Sequence, residues 1–175
     1  TRFSELVLKI EIQSVIAGDI PEISLLVEQT SELQVIPTLS SEGQLSMRSA
    51  RSADILSIAD ASKYRAVKAV SDDKIIGYVA WRDPYYIAQL MFSPKVKTEE
   101  FEDTLDAVIA RSGYDRLHLK ASINAIGFYE RYGFTHDGAE ESDKGIRYVP
   151  MSFRVDSKHE RPLSPTNGHT GYTDP

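Results

Sequence analysis

The chain has 175 residues, 20 Lys plus Arg against 26 Asp plus Glu, a net charge of −6 and a pI near 5.2. So acidic a surface neither displaces counterions from nucleic acid nor meets anionic lipid headgroups, so no nucleic-acid and no membrane partner is expected. Its 41 % hydrophobic content suits one globular domain, and its lack of Cys excludes disulfide frameworks, thiolate metal sites and cysteine nucleophiles.

Residues 5–16 place Leu8, Ile10 and Ile12 on one face against Lys9 and Glu11, which reads as a first strand. Asp19, as N-cap, and Pro21 open a helix over 19–34 with Ile23, Leu26, Val27 and Leu33 at helical spacing. Pro37 ends it, and Ser40 or Ser41 opens a second helical stretch to about residue 61. The period then falls to two. Residues 64–70 and 74–82 form a hairpin around the polar turn Ser71–Asp73, and 85–92 is a further strand stopped by Pro94.

Residues 98–111 set Phe101, Leu105, Val108 and Ile109 on one helical stripe, with Thr98 as N-cap and Gly113 at the end. A strand over 115–121, a short helix over 123–132 closed by Gly133, and a last strand over 145–154 follow, with Pro150 indicating a bulge or an edge. A further strand is indicated near 134–140. Residues 1–155 are thus read as a single mixed α/β (α+β) domain, and the Pro- and Gly-rich stretch 156–175 as a disordered tail. No run approaches the roughly 18 apolar residues of a transmembrane helix, and no N-terminal leader pattern is visible, so the cytoplasm is the expected location.

The most specific segment is S-I-N-A-I-G-F-Y-E-R-Y-G-F (Ser122–Phe134), a helix following a strand. On pattern alone Tyr129 is a core aromatic and Asn124 an N-cap. With G-I-R-Y-V-P-M (Gly145–Met151) and the order of elements, however, this segment resembles the GCN5-related N-acetyltransferase (GNAT) superfamily over residues 7–153. The resemblance implies a central mixed sheet flanked by helices and transfer of an acetyl group from acetyl-CoA to a small-molecule or peptide amine by direct attack. It also implies pairing of the C-terminal strands into a homodimer. It places Tyr129 at the thiol sulfur as general acid and Asn124 on the CoA arm. Backbone groups of Leu90 and Phe92 would pair with the pantetheine like an added strand.

Two departures bear on that expectation. Where the family has a glycine-containing pyrophosphate loop, this chain reads K97-T-E-E-F-E102, with Glu100 and Glu102 at the glycine positions and Lys95 and Lys97 as compensating cations. Where the family often sets a carboxylate base on a strand, this chain has Ala88 and Gln89, leaving Asp83, His118 and Glu130 as candidate bases. Trp81, Tyr85 and Tyr86 are candidate walls of an acceptor pocket or simply cross-strand packing. The four His have no metal-ligand spacing, and no metal is expected. The alternative reading is therefore a GNAT fold with weak or lost CoA binding that acts as a binding or regulatory module.

Overall fold

The structure is a computed structural model describing residues 10–155; the tail 156–175 and the first residues of the expected N-terminal strand lie outside the described residues. An eight-stranded sheet runs in the order β1 (Glu11–Ser14), β2 (Arg65–Ser71), β3 (Lys74–Arg82), β4 (Tyr86–Phe92), β5 (Arg116–Ser122), β8 (Ile146–Arg154) and β6 (Thr135–His136), with β7 (Glu141–Asp143) also on β8. All pairings are antiparallel except β4 with β5. Helices α1 (Ile20–Thr30) and α2 (Ser41–Ser57) belong to one face, α3 (Thr98–Ser112) and α4 (Ile126–Tyr132) to the other.

Two cores follow from strand alternation. On β3, Val79 and Trp81 point to the α3/α4 side with Phe101, Leu105, Val108, Tyr129 and Phe153. Tyr78 and Ala80 point the other way, to Ile23, Val27, Ile55 and Ile58. A strand buried on both faces reads as the near-continuous apolar run seen at 75–81. No helix among the described residues is long and apolar enough to cross a membrane.

Several local expectations change. The first helix ends at Thr30, and the chain continues through a wider turn over Ser31–Val35. The extra width shifts the helical phase, so Val35 is buried and Leu33 is left 68 % exposed. Asp19 does not cap α1 with its side chain. Its carboxylate accepts from the Ile16 N–H at 2.9 Å and from Lys68 Nζ at 2.7 and 2.8 Å. The second helix is capped by Ser40, whose Oγ accepts from Gly43 N–H, and stops at Ser57. Lys97, not Thr98, is the N-cap of α3. Pro150 lies inside β8, opposite Lys120, with its carbonyl accepting from Asp137 N–H in the gap between β6 and β7. Its nitrogen lies on the same side as that carbonyl, away from β5, so the β5–β8 ladder loses no bond.

Candidate active site

The site begins with a bulge. Ala80 pairs with Gln89 but Trp81 pairs with Ile87, so Ala88 is an extra residue in β4. A bulge bends the strand that carries it. Accordingly, β4 and β5 pair only at Tyr86 and His118, before the bulge, and diverge beyond it.

Past the bulge, Ser93 N–H donates to Ile76 C=O at 2.7 Å, which fixes the phase of the β3–β4 ladder. Met91 and Gln89 share that phase, so Leu90 and Phe92 stand at the non-hydrogen-bonded pairs opposite Val79 and Gly77. Their N–H and C=O groups face the gap that β5 has left. Gly77 makes room for Phe92: a Cβ there would lie 2.2 Å from the Phe92 ring.

The gap holds a cavity of about 170 Å³ whose lining includes Leu90, Phe92, Val96, Asn124, Phe128 and Tyr129. Asn124 is not an N-cap; it lies in the turn Ile123–Ala125, and its Nδ2 donates to Gln34 C=O at 3.4 Å, tying α4 to the wide turn after α1. Tyr129 is buried, with Phe101 and Phe134 packed edge-on at 5.8 and 5.4 Å. Burial pushes its phenol well above the ordinary tyrosine value.

A second cavity, of about 300 Å³, opens on the other side of Tyr129, toward α1 and α2. It shares Val35, Leu90, Met91, Ser122 and Tyr129 with the first, so the tyrosine stands where the two meet. The second cavity also contains Asp54 of α2. The Tyr78 hydroxyl and the Gln89 side chain bond to each other at 3.0 Å, and Gln89 Nε2 donates to Asp54 C=O at 2.7 Å, so the α2 backbone is fixed over the bulge. Desolvation raises the Asp54 carboxyl above its ordinary value.

The structure thus brings Leu90, Phe92, Asn124 and Tyr129 to one cavity. Lys97 is exposed at the head of α3, outside both cavity linings. At that head Glu100 folds back, its Oε1 accepting from Lys97 N–H at 3.0 Å. The three candidate bases are elsewhere: Asp83 accepts from the Tyr114 hydroxyl, His118 lies 3.4 Å from Asp137, and Glu130 lies 3.8 Å from His136. Trp81 is core, and Tyr85 and Tyr86 lie beneath Arg116 and Arg82. Sequence reasoning missed Asp54. The only local signal was an acid one position from the buried Ile55, on a helix of weak apolar pattern.

A mostly antiparallel eight-stranded sheet flanked by four helices is the fold of the GNAT class. Residues 37–155 match the family model described as Acetyltransferase (GNAT) domain, and the chain belongs to that family. Solved structures agree in fold. A GCN5-related N-acetyltransferase from Rhodopseudomonas palustris superposes with a TM-score of 0.66 at 18 % identity, covering 83 % of this chain and 95 % of that one. The PaiA N-acetyltransferase of Thermoplasma acidophilum, solved in complex with coenzyme A, gives 0.67 at 16 % identity, covering 84 % and 99 %. The aminoglycoside 6'-N-acetyltransferase of Enterococcus faecium gives 0.61 at 12 %, covering 83 % and 97 %. No curated protein sequence matches the chain at a significant level. Family membership and fold support a general role in acetyl transfer.

Proposed function

We propose that the protein moves an acetyl group from acetyl-CoA to an amine, with the thioester in the first cavity, the amine in the second and Tyr129 between them. The observation that carries this reading is the shared position of Tyr129 in both linings. The first cavity suits a pantetheine arm: its walls include Phe92, Val96, Phe101 and Phe128, and the free backbone groups of Leu90 and Phe92 offer strand-like hydrogen bonds. Bound there, acetyl-CoA supplies an activated acyl group.

The chain's own groups do the rest. The bulge and the Gly77–Phe92 contact hold the gap open. Tyr129 keeps its proton at neutral pH and offers it as a hydrogen bond to negative charge on sulfur. Because its pKa is raised above the ordinary 10 or so, while a thiol titrates near 8.5, complete transfer from the phenol is uphill. Hydrogen-bond donation is therefore its main contribution. In the net change a C–N bond replaces the C–S bond; of the two protons lost by the ammonium, one leaves to solvent and one ends on sulfur.

A second reading, a GNAT fold with weakened CoA binding that serves as a binding module, is favoured by one observation. Glu100 occupies the α3 N-terminus with its own carboxylate. The two readings separate in an assay of thiol release from acetyl-CoA with n-hexylamine as acceptor. Amine-dependent release above background is expected from the enzyme, and its absence at millimolar substrates would contradict that reading.

A further inference from the structure

The second cavity specifies more than an amine in general. Its walls are mainly apolar, with Val27, Met47, Ile55, Ile87, Leu119 and Ile146 among them, and its volume of about 300 Å³ is at the lower end for small-molecule sites. Among the lining residues Asp54 is the sole acid. No hydrogen bond or ion pair engages its carboxylate among the described residues, although the Gln89 contact holds its backbone.

Four other titratable side chains face the same space: Arg51 on α2, Tyr78 on β3, Lys120 on β5 and Tyr129 on α4. None of them is an acid, so none duplicates Asp54. Arg51 is engaged, donating to Ser31 Oγ at 2.9 Å and to Glu32 at 3.2 Å. The Lys120 ammonium sits 5.0 Å from the centre of the Tyr148 ring. A ligand carrying a second ammonium would therefore meet these two cationic side chains in a site with no second carboxylate.

We propose that this cavity selects small primary amines bearing one positive charge on an apolar body, with Asp54 receiving the ammonium and the Val27, Ile55 and Ile87 side receiving the body. This deepens the acetyl-transfer reading, since the amine so held lies on the acceptor side of Tyr129, but the binding it describes is independent of acetyl-CoA. Asp54 here is a group that touches the acceptor. Asp54 keeps part of its surface in solvent, and the partial desolvation that raises its carboxyl means that the charge is lost on acidification sooner than that of a fully hydrated aspartate.

The test is calorimetric titration of the full chain, without acetyl-CoA, by n-hexylamine, 1,6-diaminohexane and 1-hexanol. These probes share a six-carbon body and differ in charge. The expected order is hexylamine tightest, with the diamine at least about tenfold weaker. Asp54→Asn is expected to weaken hexylamine by about tenfold while leaving hexanol unchanged. Ala50→Phe, which fills the cavity from α2, is expected to remove amine binding while acetyl-CoA binding persists. If Asp54→Asn does not fold, the wild-type pH profile decides, because hexylamine affinity should fall on acidification as the Asp54 carboxylate is protonated, while hexanol binding should not change. A diamine that binds as tightly as hexylamine, an affinity indifferent to Asp54 and pH, or no amine binding at millimolar concentration would overturn the proposal. A failure of the acetyl-transfer reading is read separately, from acetyl-CoA titrated alone.

Discussion

The two ends of the cleft between β4 and β5 were built by opposite rules. The inner end is apolar and open: Ala88 bulges, β5 departs, Gly77 yields space to Phe92, and among the described residues no strand pairs with the edge at Leu90 and Phe92. The outer end, at the head of α3, is acidic and already engaged, because Glu100 bonds the Lys97 N–H that a pyrophosphate would otherwise approach. Carboxylates in a first helical turn stabilise the helix by about 0.3–1 kcal/mol each. At about 4 Å from a phosphate, the same charges cost on the order of 1–4 kcal/mol per pair. The larger figure wins wherever the acids face the ligand. A helix terminus is therefore not an anion site by virtue of its dipole alone; what its own side chains do with the free N–H groups decides the matter.

The largest expected effect breaks the inner end. Tyr129→Phe removes the hydroxyl while keeping the ring packing on Phe101 and Phe134, and should lower turnover about 100-fold with the acetyl-CoA dissociation constant unchanged. A fall in affinity without a fall in turnover would make Tyr129 a wall and nothing more. The next breaks the outer end. Glu100→Gly with Glu102→Gly should tighten acetyl-CoA by about tenfold, seen by calorimetry, while lowering the melting temperature, since glycine costs roughly 0.5–1 kcal/mol per helical position. No gain in affinity would mean that the acids do not face the cosubstrate.

A third expectation is in the alkaline limb of the pH–rate profile. With its phenol raised by burial, Tyr129 stays protonated beyond the ordinary tyrosine range, so activity should show no decline from this group up to about pH 10. A descending limb at pH 9 that vanishes in Tyr129→Phe would contradict the burial argument. The smallest effect concerns stability. A carboxyl whose folded pKa is raised penalises the folded state at pH values above it, so Asp54→Asn should raise the melting temperature slightly at pH 7, and less at pH 4. A lower melting temperature at pH 7 would mean that the carboxylate has a structural partner.

Much of this was legible from residues. The alternation at 64–82, the stripe Phe101–Leu105–Val108 and the run Asn124–Phe134 each state one element in a form that a single period explains. What was illegible has physical reasons. The bulge at Ala88 is silent because YYIAQLMF is apolar throughout, and a one-residue slip leaves such a run looking the same. The phase shift after Thr30 needs one extra residue in a turn, which no composition marks. Asp54 carries no motif; it matters only because α2 is fixed across β4 by Gln89, a contact 35 residues apart in sequence. Lys97 is a candidate through its place in the resembled loop; its side chain is exposed at the head of α3, where Glu100 accepts from its backbone N–H.

The contrast between the two ends is tested most directly by titrating the protein with acetyl-CoA and with S-acetylpantetheine, which lacks the pyrophosphate and nucleotide. If the inner end provides the binding and the acidic end contributes little, both should bind one to one, with dissociation constants within about tenfold of each other. A hundredfold or greater preference for acetyl-CoA would show that the head of α3 holds the pyrophosphate after all, and no binding of either compound at millimolar concentration would contradict the assignment of the cleft to the thioester.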